Sequence, residues 1–155
     1  MKRLMFAAIA PALAWATAAG AQPRGALDCE DAGVGLWSIA PGEDGSGLRS
    51  FYDGQVAVVA VDTIEPAAAP AGIAIVMPAA ERDDEPPSMA CWAFIGFDRV
   101  DVRAARAEYD PAEGLRLTFP TWRWDEERQQ SVPSPPLRIR IDLGRGRVEV
   151  VGSVN

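Results

Sequence analysis

The chain reads as an all-β domain, an antiparallel sandwich or barrel of about nine short strands tied by one disulfide. Three observations predict it. Short apolar runs alternate with Gly, Pro and Asp punctuation over almost the whole length. At least two pairs of runs fall into register as hairpins that match charge to opposite charge and apolar to apolar. No stretch carries a long, capped periodicity of 3.6 residues.

The first 21 residues stand apart from this pattern. Lys2 and Arg3 precede an almost wholly apolar run from Leu4 to Ala19, and Ala19, Gly20 and Ala21 form a small-x-small cleavage site. These features predict a secretory signal peptide over 1–21 and a single β domain over 22–155. The apolar run is shorter than the roughly 20 residues a spanning helix requires and contains Pro11, which argues against a retained anchor. The expected localisation is therefore exported, periplasmic or extracellular, with no integral membrane segment in the mature chain.

Of the 155 residues, 134 remain after residue 21, enough to bury a core. Lys2 and Arg3 leave with the leader, so 13 basic side chains face 22 acidic ones, a net charge of −9. That balance disfavours nucleic acid and anionic lipid as partners, since both select basic surfaces. Cys29 and Cys91 are an even pair in an exported chain and predict one structural disulfide. No base or second nearby thiol is visible to make either cysteine reactive.

Taken in order, 33–39 is a first candidate strand carrying Trp37. Runs 48–52 and 55–61 flank Asp53-Gly54, a pair that supplies the two positive φ angles of a type I′ hairpin turn. Val56, Val58, Val59 and Val61 place apolar side chains on both faces, as in a strand covered on both sides. The Ala-Pro stretch 65–70 is a connector, and 72–77 a further apolar strand. Glu81, Asp83, Asp84 and Glu85 lie in a polar break before Pro86 and Pro87. Their spacing lacks the glycine and terminal glutamate of a helix-loop-helix calcium site, so they read as a solvated loop. The uncharged run from Met89 to Phe97 is a core strand that the disulfide links to the amino-terminal segment.

Asp110, Pro111 and Gly114 form a turn. With Tyr109 opposite Leu115, Glu108 faces Arg116 and Ala107 faces Leu117. Extending the same register sets Ala105 against Phe119, Val102 against Trp122, Asp101 against Arg123 and Val100 against Trp124. An alanine-rich helix over 101–109 is the competing reading. In the last hairpin, a loop over 143–146 sets Asp142 against Arg147, Ile141 against Val148, Arg140 against Glu149 and Ile139 against Val150.

Function is far less legible. The mature chain contains no histidine and no lysine, which removes the commonest general base, the commonest transition-metal ligand and the Schiff-base amine. No glycine-rich phosphate loop is present, and no cofactor is expected. The sharpest positive feature is Trp122, Arg123, Trp124, the candidate ligand-binding residues. In a regular strand both indoles point away from the side of Leu115, Leu117 and Phe119. Core packing is the favoured reading, because a bulge at Pro120 or the twist of a long hairpin turns them inward, and Val100 and Val102 are expected opposite them. The alternative is an exposed stacking platform for a sugar ring or a protein partner.

These features predict a non-enzymatic interaction module of the cell envelope. Its partner is a protein, in an inhibitor-like role, or a glycan. A carboxylate-dependent hydrolase and a structural component pairing through an edge strand are the alternatives.

Overall fold

The computed structural model describes residues 25–64, 67–80 and 86–151. The leader over 1–21 and the four carboxylates at 81–85 lie outside the described residues.

The described residues form ten strands: β1 (Leu27–Asp28), β2 (Leu48–Phe51), β3 (Val56–Asp62), β4 (Ala71–Pro78), β5 (Met89–Phe97), β6 (Arg99–Val100), β7 (Arg106–Asp110), β8 (Gly114–Asp125), β9 (Gln130–Asp142) and β10 (Arg147–Val150). They make two antiparallel five-stranded sheets. One has the order β1-β5-β4-β3-β2; the other runs β10-β9-β8-β6, with β7 also paired to β8. Among the described residues no ladder joins the edge strands of one sheet to those of the other, so the architecture is a sandwich and not a closed barrel.

The main core lies between the sheets. Val56, Val58, Ile73, Ile75, Met77 and Phe94 of the first sheet meet Leu115, Leu117, Phe119, Leu137, Ile139 and Ile141 of the second, all of them buried. Each set alternates along its strand, which is why a period of two is legible in the sequence. A second, smaller cluster lies on the opposite face of the first sheet: Val61, Ala74 and Ala93 are covered by Cys29, with Ala32 and Val34 packed alongside. The Cys29–Cys91 disulfide, 62 residues apart in sequence, holds this cover in place. The bond accords with an oxidising compartment. Among the described residues no helix is long and apolar enough to cross a membrane.

The β2–β3 hairpin turns as expected. Asp53 and Gly54 take φ of 53° and 86°, and the Gln55 N–H donates to the Tyr52 carbonyl over 3.0 Å. The β9–β10 register matches all four expected pairs.

Three expectations need correction. Residues 33–39 do not form a strand. Gly33 adopts a left-handed φ of 66°, and Leu36–Ser38 is a single 3-10 turn closed by the Ser38 N–H donating to the Gly35 carbonyl over 2.9 Å. Ile39 alone of this segment pairs with the sheet, through one bridge to Val61. The register of β7 with β8 holds from Arg106 to Asp110 but not beyond: β6 pairs Arg99 with Trp122 and Val100 with Thr121. Three extra residues are taken up at 101–105, where the Asp101 carboxylate accepts the Ala104 N–H over 2.9 Å and so caps a turn that breaks the strand. Val102 and Ala105 are thereby delivered into the core, and Arg49 Nη1 donates to the carbonyls of Arg103 and Ala105. No helix forms over 101–109. The third correction concerns the tryptophans of β8.

Candidate functional site

Along β8 the burial alternates as far as Thr121: Leu115, Leu117, Phe119 and Thr121 are all buried, so Pro120 and, by the same parity, the half-buried Trp122 and the exposed Trp124 lie on the outward side, while Arg123 of the core-facing row is itself exposed. The bulge expected at Pro120 exists, but it falls on the partner strand. Phe119 pairs with Leu137 and Thr121 with Ser134, so Pro135 and Pro136 of β9 share the space opposite Pro120. The parity of β8 is therefore unbroken. Neither Trp122 nor Trp124 belongs to either core cluster, and Trp124 is 36% exposed. Core packing, the favoured expectation for these indoles, is thus corrected.

Trp122 and Trp124 share one face, and Arg123 lies on the other. Across the strands, Trp122 is flanked by Arg99 of β6 and Pro133 of β9, and Trp124 by Ser131. The guanidinium carbon of Arg99 sits 3.9 Å from the centroid of the Trp122 ring. Such a cation–π contact at an exposed site contributes about 0.5–1 kcal/mol and fixes the indole plane. Sequence reasoning missed Arg99 because it extended the β7 register through the turn at Asp101. The sequence signal that marks the break is Asp101 itself, an Asx-turn former three residues before the amide it caps.

Beyond Trp122 the two strands run as a ribbon. Among the described residues, Arg123 to Asp125 pair only with 130–132 of β9, and β10 first pairs with β9 at Ile139. The ribbon ends in a turn where the Asp125 carboxylate accepts the Arg128 N–H over 3.0 Å. Its open β9 edge carries Pro133, Pro135 and Pro136, which supply no N–H to a further strand.

Thr121 pins the base of this ribbon. It is 2% exposed, and its hydroxyl donates to the Pro135 carbonyl over 2.7 Å while lying 2.8 Å from the Ser134 hydroxyl. Pro135 cannot join the ladder as a donor, so its bulge is held by this side chain. Thr121→Val keeps the volume but leaves both oxygens short of a partner. It is expected to cost about 1–3 kcal/mol, read as a lower denaturant midpoint.

The opposite end of the same outer face is a charge network. Arg116 bonds Glu113 and lies 3.8 Å from Glu108, and Arg140 bonds Glu149 over 2.6 Å. The hydrogen bond from Arg140 to Glu149 raises the pKa of that guanidinium further. A shallow cavity of about 140 Å³ opens here, lined by Glu108, Tyr109, Asp110, Glu113, Gly114, Arg116 and Arg140. Of its carboxylates, those of Glu108 and Glu113 are matched by Arg116 and that of Asp110 accepts the Ala112 and Glu113 N–H groups, as in a solvated structural network.

A second exposed apolar feature is the 3-10 turn. Leu36 is 86% and Trp37 82% exposed, with the indole folded back over Gly35. Among the described residues no group of three or more His, Cys, Asp or Glu side chains is placed to hold a metal ion. No protein-family model, curated protein or solved structure matches the chain.

Proposed function

We propose that the protein is an exported, non-enzymatic binding module of the cell envelope, and that its contact surface is the outward face of the β8–β9 ribbon. The observation that carries this reading is the exclusion of Trp122 and Trp124 from both cores while they share one face. Trp122 is half-buried and Trp124 is 36% exposed, so each leaves part of a large aromatic ring at the surface that a core position would cover. A pair of them on one strand face makes a flat apolar platform, and Arg99 stiffens it from one side. Platforms of this kind stack on sugar rings and anchor protein contacts.

The proline-studded edge of the ribbon favours recognition through its face over strand addition at its edge.

The test is retention of envelope components by the mature, disulfide-intact protein, set beside the Trp122→Ala/Trp124→Ala double variant. A component held by the wild type and released by the variant is the expected result. Equal retention by both proteins, or turnover of generic glycosidic or ester substrates abolished by a single Asp→Asn change, overturns the reading.

A further inference from the structure

The outer face of the second sheet is polarised, and the polarity names a ligand class. Residues 25–80 carry eight acidic side chains against one basic, whereas residues 86–151 carry ten of each. The second sheet is built entirely from that latter segment. Within it the charges separate again. At the β7–β8 turn end, the outward carboxylates of Glu108 and Glu149 are engaged by Arg116 and Arg140. Toward the ribbon, Arg106 and Arg138 flank Thr118 in the ladder, Arg99 flanks Trp122, and Trp124 follows.

The side chains of Arg106 and Arg138 are exposed and make no ion pair or hydrogen bond among the described residues. Opposite Pro120 stands Asp101, whose carboxylate accepts the Ala104 N–H through one oxygen. The face from Thr118 to Trp124 presents three guanidinium groups and two indoles against that one carboxylate, with Glu126 and Glu127 in the turn beyond Trp124.

The spacing suits an extended chain. Arg106 and Arg138 lie on strands either side of β8, so their backbones are about 10 Å apart. Trp124 is six residues along from Thr118, which is about 20 Å. A ligand that crosses this face meets planar cations at one end and flat apolar rings at the other. Guanidinium groups pair with carboxylate or sulfate oxygens in a bidentate fork, and indoles stack on the apolar faces of sugar rings. We infer that the ligand of this face is an anionic sugar chain, a carboxylated or sulfated polysaccharide. The inference rests on the reading of the ribbon as a binding surface and adds to it the charge of the ligand. The overall acidity of the protein does not oppose it, because the excess acid lies on the other half of the chain. That same acidity selects against ligands large enough to wrap the whole molecule.

The experiment titrates the mature, disulfide-intact protein with four probes and follows tryptophan fluorescence: dextran, dextran sulfate, polygalacturonate and polyglutamate. Binding of dextran sulfate or polygalacturonate, weakened by added salt, with dextran and polyglutamate at least tenfold weaker, is the expected result. Arg106→Gln/Arg138→Gln is expected to bind the charged sugar about tenfold more weakly, the combined loss of two exposed ion pairs, with an unchanged unfolding midpoint. Trp122→Ala/Trp124→Ala is expected to lose binding of the charged sugar.

Equal binding of dextran and dextran sulfate overturns the inference, as does an arginine double variant that binds like the wild type. Preference for polyglutamate overturns it in favour of an acidic polypeptide. If neither charged sugar binds while envelope components are still held in a tryptophan-dependent way, the sugar inference fails and the binding-surface reading survives. If that tryptophan dependence is missing too, both fail.

Discussion

Phe119→Ala is expected to destabilise the protein by about 3–5 kcal/mol, the range for removing a buried aromatic side chain. Phe119 is fully buried, and it sits at the last regular pair before the proline bulge, opposite Leu137. The cavity opens between the two sheets, where Phe94 and the branched side chains of β3 and β4 are already in their packed positions. Little can collapse into the space, so the upper part of the range applies. Equilibrium unfolding in urea measures it. Trp124, five positions along the same strand, supplies the contrast. It is part of neither cluster and is 36% exposed, so Trp124→Ala opens no enclosed cavity and is expected to cost less than Phe119→Ala. Equal losses at the two positions contradict the division of β8 into a core-facing and an outward row.

The second large effect is the loss of the disulfide. Cys29→Ala/Cys91→Ala is expected to cost about 4 kcal/mol in the chain-entropy model, given the 62-residue separation. The structure adds a location to that loss. The bond fixes the segment from Cys29 to Val34 over Val61, Ala74 and Ala93. Along that segment the Cys29 N–H donates to the Cys91 carbonyl and the Val34 N–H to the Cys29 carbonyl. Without the bond, the outer face of the first sheet is expected to open before the core between the sheets. Hydrogen exchange at Ala74 and Ala93 is expected to accelerate more than at Ile75 and Leu117. Uniform acceleration across both sheets contradicts this order.

Much of the fold was legible because it rests on local pairing. Asp53-Gly54 sets one hairpin by turn chemistry alone. The β9–β10 hairpin reads out from alternation with matched charges, and Glu108 against Arg116 fixes the β7–β8 register. What was not legible depended on irregularities. The turn capped by Asp101 and the Pro135–Pro136 bulge each insert residues on one strand only, and such insertions change every pairing beyond them. The misread segment 33–39 has apolar residues in a strand-like order, but Gly33 and Gly35 permit a conformation that a single 3-10 turn then closes. Sandwich or barrel was undecidable from pattern, because closure is a property of edges and edges carry no period of their own.

For the site, the sequence identified the tryptophans and their shared side. The favoured expectation of core packing failed for a definable reason: it borrowed Val100 and Val102 as partners through a register that Asp101 breaks. Arg99, the residue that does flank Trp122, became visible only once that break was located.

The central claim is that the Trp122–Trp124 face binds and does not stabilise. Its most direct measurement is the fraction of protein retained on sedimented envelope fragments for the wild type and for Trp122→Ala/Trp124→Ala, with both shown to unfold at closely similar urea concentrations. The account predicts retention of the wild type and release of the double variant. Equal retention of the two, or a variant destabilised as heavily as Phe119→Ala, contradicts it.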